Sequence, residues 1–143
     1  MTISSRAARG VRKVRAQLRD LAAAEHGRAA STSAAAATAV ATEHASLVDT
    51  TAAASVALAQ VTSVHTFDQI GDLLASQRAS VISAEAAHAA ANAVTDLAAV
   101  RLRARIRQLK TVERVVELID RERTTHEAKT EQRAHDDLNA RRR

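Results

Sequence analysis

Residues 61–71 read VTSVHTFDQIG, a short punctuated segment between two long amphipathic stretches. Thr62, Ser63, Val64, His65 and Thr66 are poor helix formers in a row. Thr66 followed three residues later by Gln69 has the spacing of a capping box that opens a helix, and Gly71 lies just beyond. These signals place a turn at about residues 62–68. On either side nothing stops a helix: the 143 residues contain no proline and only three glycines, and about a quarter are alanine, the strongest helix former. The sequence therefore predicts an all-α fold, a long two-helix antiparallel coiled-coil hairpin formed as one domain. Helix 1 runs over about 3–62 and helix 2 over about 68–138, followed by a basic C-terminal tail.

Folding the chain about residue 67 sets Val14 opposite Ile119, Leu18 opposite Val116, Leu21 opposite Val112, Val40 opposite Val94 and Val61 opposite Leu73. Along the second half, Leu102, Ile106, Leu109, Val112, Val116 and Ile119 recur every three or four residues, as a helical seam requires. The stretches STSAAAATAV (31–40) and TTAAASVALA (50–59) are low-complexity runs dominated by alanine, serine and threonine, so the seam there is narrow and weak. With one Phe, one Met and no Trp or Tyr, the chain has no material for a wide core.

Charge is segregated. Residues 1–28 carry Arg6, Arg9, Arg12, Lys13, Arg15, Arg19 and Arg28 against Asp20 and Glu25. Between 29 and 100, Arg78 stands against Glu43, Asp49, Asp68, Asp72, Glu85 and Asp96. From 101 onward thirteen bases face eight acids. An antiparallel hairpin gathers the two basic arms and leaves an acidic tip elsewhere. Arg103, Arg107, Lys110 and Arg114 share one face of the second arm, where exposed bases can dock on an acidic surface.

Chemistry that needs a constellation of side chains is poorly supported. No cysteine occurs, and Gly10, Gly27 and Gly71 stand alone rather than in a phosphate-binding loop. The six histidines include no i, i+4 pair; Glu122 with His126 and Glu131 with His135 read as surface ion pairs on a helix, without a third ligand for a metal. The expectation is a non-enzymatic protein with no cofactor and no small-molecule substrate. A nucleic-acid partner is the weaker reading of the basic arms, because stacking aromatics are absent and acids are interleaved. No apolar leader or spanning stretch is visible, which points to a cytoplasmic protein.

The run LKTVERVVELIDRERTTHEAKTEQRAHDDLNARRR (109–143) resembles the end of the flagellar FliJ family and its injectisome relatives. The pattern is carried by Val112, Glu113, Arg114, Leu118, Arg121, Glu122, Arg123, Glu131, Arg133, Asp136, Asp137, Leu138 and Ala140. The alanine and threonine bias of residues 29–66 departs from that family's charged helix. The resemblance implies a stalk and export chaperone of a bacterial type III export apparatus, peripheral to the inner face of the cell membrane. It implies a hexameric export ATPase bound through Arg12, Lys13, Arg15, Arg19, Arg103, Arg107, Lys110, Arg114 and Arg121. It further implies a membrane export gate protein met by a hairpin tip of Phe67, Ile70, Leu73 and Leu74, with other export chaperones as further partners. A generic coiled-coil adaptor or chaperone is the alternative.

Overall fold

A computed structural model describes residues 5–60 and 63–140, with side chains over 6–60 and 63–137. Two helices, α1 (Ser5–Leu58) and α2 (Val64–Ala140), pack against each other as an all-α hairpin. The expected beginning of helix 1 near residue 3, the central turn residues 61 and 62, the pairing of Val61 with Leu73, and the tail 141–143 lie outside the described residues.

The turn falls earlier than expected, and its hydrogen bonds give the reason. Ser63, not Thr66, caps α2: the Thr66 N–H donates to Ser63 Oγ at 3.3 Å, and the Phe67 N–H donates to the Ser63 carbonyl at 3.3 Å. The two residues compete for the same capping role, and capping at Ser63 wins three additional helical residues with their backbone bonds. Gly71, read as punctuation, is an ordinary helical residue inside α2. At the other side of the turn, the Gln60 N–H donates to the Ala57 carbonyl at 2.9 Å, tightening the last turn after α1. The threonine-rich middle stays helical because its hydroxyls turn back on their own helix. Thr32, Thr38, Thr42 and Thr51 each donate to the carbonyl four residues earlier, at 2.7–3.1 Å.

The earlier turn changes the pairing. Arg9 meets Asp120, Arg15 meets Gln108, His44 meets Glu85, Ser33 meets Asn92 and Glu43 meets Gln77. Each partner lies five to fourteen residues before the one that folding about residue 67 assigns. Val14, Leu21 and Val94, expected in the seam, are 54%, 60% and 58% exposed.

The chain divides into two compact units, Met1–Ala23 with Arg101–Arg143, and Ala24–Val100. In the first, which holds both arms, the buried residues are Ala8 and Ala22 from α1 and Leu109 and Val116 from α2. Leu102, Ile106, Val112 and Ile119 are half-buried beside them. The seam is thus asymmetric: small residues of α1 face large ones of α2. In the second unit Ala54, Val81 and Ala98 are buried. The half-buried positions around them alternate at three and four residues, Ser33, Ala36, Val40, Glu43 and Leu47 on α1 and Gln77, Ala84, His88, Ala91 and Thr95 on α2. That is the heptad spacing of a coiled coil, with several polar layers admitted.

Within the arm unit, α2 outruns its partner. Every described residue from Arg121 to Asp137 is exposed. This stretch is polar all round, and Arg123 and Glu127 form an i, i+4 ion pair in it at 3.3 Å. A helix with no buried face is marginal in water. Hydrogen exchange should therefore find the amides of residues 124–137 opening at a free energy of about 0–2 kcal/mol, well below those around Leu109. Equal protection of the two segments would contradict this.

Candidate interaction surfaces

The nine bases expected to serve as a docking surface all belong to the arm unit. Because α1 and α2 are antiparallel, the arm unit joins the first turns of one to the later turns of the other. Arg12 and Lys13 on α1, and Arg103, Arg107, Lys110, Arg114 and Arg121 on α2, are exposed, and their side chains make no ion pair among the described residues. Arg15 and Arg19 differ from these. Both are half-buried at seam positions, and both are already engaged. Arg15 Nη1 donates to Gln108 Oε1 at 2.7 Å, an acceptor that also takes a bond from Arg105 Nη1 at 3.1 Å. Arg19 donates through Nε to Asp20 Oδ1 at 2.9 Å. Their positive charge still adds to the local field, but their hydrogen-bonding edges are partly used.

One base that sequence reasoning did not single out holds the arms together. Arg9 Nη2 lies 2.9 Å from Asp120 Oδ1, with the two side chains 55% and 38% exposed. An ion pair that open to solvent contributes about 0–1 kcal/mol, so its value is in fixing register more than stability. In the second unit, His44 Nε2 stands 3.0 Å from Glu85 Oε1 in a comparably exposed pair.

The proposed tip separates into two kinds of residue. Ile70 and Leu74 are half-buried and continue the seam, spaced four apart, so they close the hairpin. Phe67 and Leu73 are 59% and 55% exposed. Three further exposed apolar side chains flank the turn and were not legible as tip residues: Val56 at 63%, Leu58 at 39% and Val64 at 78%. Moving the turn to before Ser63 is what brings them there. Exposed apolar side chains gathered at one place mark an interface more readily than scattered ones.

No protein-family model, curated protein or solved structure matches the chain. The surfaces themselves therefore carry the functional argument. Among the described residues no group of three or more His, Asp or Glu side chains is placed to hold a metal ion. Among the described residues no helix is long and apolar enough to cross a membrane. One open groove lies on α1 alone, lined by Leu47, Val48, Thr51, Ala52 and Ser55.

Proposed function

We propose that the chain is a non-enzymatic coupling component and export chaperone of a bacterial flagellar type III export apparatus. In this reading the basic arm unit binds a hexameric export ATPase, and the exposed apolar residues at the turn of the other unit meet the membrane export gate protein. The observation that carries the reading is the arm unit: an antiparallel pair of helices bearing seven exposed bases whose side chains make no ion pair among the described residues. The resemblance of residues 109–143 to the FliJ family adds the identity of the apparatus. Bases left unpaired raise the association rate with an acidic surface and fix orientation, while contributing little to the fold.

Binding of the full chain to a purified hexameric export ATPase tests this. The triple change Arg12→Glu, Arg103→Glu and Lys110→Glu replaces exposed side chains and should leave helicity by circular dichroism intact. It should weaken binding by about tenfold or more at low salt, and the loss should shrink as salt screens the surface. Binding that ignores the three reversals would remove the arms from the ATPase interface.

A further inference from the structure

The arm unit holds a second apolar stripe of which its own seam takes up only part, at the half-buried Leu18. On α1, Ala7, Val11, Val14, Leu18 and Leu21 recur at four, three, four and three residues. This is the heptad spacing again, set one position ahead of the seam residues Ala8, Arg15, Arg19 and Ala22. Val11, Val14 and Leu21 are 49%, 54% and 60% exposed. The first arm thus buries Ala8 and Ala22 while Val11, Val14 and Leu21 stay exposed, the reverse of a helix whose only task is to pack on α2. On α2 the corresponding positions, one ahead of Val116 and Ile119, are Val115 and Leu118, 40% and 58% exposed.

Geometry sets the two stripes on the same side. Stepping back one residue rotates a side chain by about 100° around its helix axis, and antiparallel axes make the two rotations opposite in sense when viewed from one end. Both stripes therefore swing to one flank of the seam. Arg9 and Asp120, each one position after a seam residue, lie on the other flank, where the ion pair closes it. The open flank has a groove along α1 lined by Ala7, Gly10, Val11, Val14, Arg15 and Leu18. A Cβ at Gly10 would meet nothing within 4 Å, so the groove floor admits another helix closely.

The borders of this flank decide what fills it. On α2 the row next to Thr111 and Leu118 consists of Arg107, Arg114 and Arg121, one base every two turns, all exposed, with Glu122 following Val115 and Leu118 at the end of the stripe. On α1 the row next to Val14 and Leu21 is Gly10 and Gln17, small or neutral. A second copy apposed with its α2 on this α2 would bring arginine rows toward each other. A flat lipid surface would leave the groove along α1 unfilled.

We propose that this flank of the arm unit docks an amphipathic helix from another protein, apolar along its contact stripe and acidic along the border that faces Arg107, Arg114 and Arg121, so that the arms and their guest form a three-helix arrangement. This goes beyond the export reading and does not depend on it, because the recognition uses the arm's own chemistry with no ATPase present.

The test uses the full chain and a labelled synthetic helix of about three heptads with leucine at its seam positions and glutamate at the borders, followed by fluorescence anisotropy. The comparison probe has the same leucines and lysine borders. The glutamate peptide should bind, and the lysine peptide should bind at least about tenfold more weakly. Val14→Asp with Leu21→Asp should reduce binding of the glutamate peptide by about tenfold or more, and Arg107→Glu with Arg114→Glu should abolish the preference between peptides. Val14→Ser with Leu21→Ser provides the same readout with a milder change should the aspartates disturb folding. Equal binding of both peptides, binding that ignores the stripe variants, capture on phosphatidylserine vesicles in place of peptide, or concentration-dependent dimers in sedimentation that the stripe variants dissolve would each overturn the proposal.

Discussion

Replacing Leu109 with alanine should lower the stability of the arm unit by about 2–4 kcal/mol, seen as a fall of roughly 10 °C in its thermal transition by circular dichroism. Leu109 is 5% exposed, and the residues buried with it are Val116 and two alanines. Little apolar area remains to close over the vacated space, and the alanines of α1 have no longer side chain to move into it. The control is Leu21→Ala. Leu21 is just as large but 60% exposed, and its truncation should change stability by less than about 0.5 kcal/mol. The pair of variants discriminates between registers: a hairpin folded about residue 67 buries Leu21 against Val112 and makes both truncations costly. Similar losses for the two would reject the observed pairing.

Ala87→Pro should have an effect of comparable size in the other unit by a different route. Ala87 is exposed in the interior of α2, and its side chain has no cross-helix partner to lose. Proline removes the amide that bonds the carbonyl of Ser83 and drives its ring against that turn, costing about 3 kcal/mol or more. The buried side chains of this unit are Ala54, Val81 and Ala98, so there is little packing to hold a broken helix in place. Amides flanking residue 87 should lose hydrogen-exchange protection, and helicity should fall beyond the single site. Ala87→Gly, at about 1 kcal/mol, isolates the backbone entropy from the steric clash. A proline variant with wild-type helicity and melting would mean that α2 is already interrupted near this point.

Much of the hairpin was legible. Absent prolines, abundant alanine and the run of poor helix formers at 62–66 predict two helices and one turn, and both are present. The inward face of the second arm was legible too, since Leu109 and Val116 are buried and Leu102, Val112 and Ile119 half-buried, as their spacing implied. The register was not. The assumption that large apolar residues seek one another inside puts Val14 and Leu21 in the seam, whereas this helix turns Ala8 and Ala22 inward. A stripe of alanine and a stripe of valine and leucine one residue apart have the same period, and periodicity alone does not say which one meets the partner helix. The exact start of α2 was hidden for a related reason, because Ser63 and Thr66 are both competent caps and only the summed backbone bonds choose between them. Among the docking candidates, Arg15 and Arg19 were indistinguishable from their neighbours until the pairing assigned them to the seam.

The small side chains that line the inner face of the middle unit have a consequence for how this chain tolerates change. Where Ala36, Ala84 and Ala91 stand, exchange for serine or glycine adds or removes a single heavy atom at a half-buried site and alters folding by about 1 kcal/mol or less per site. Such positions accept several small residues with the backbone path unchanged, so the middle unit tolerates replacements that the Leu109 layer does not.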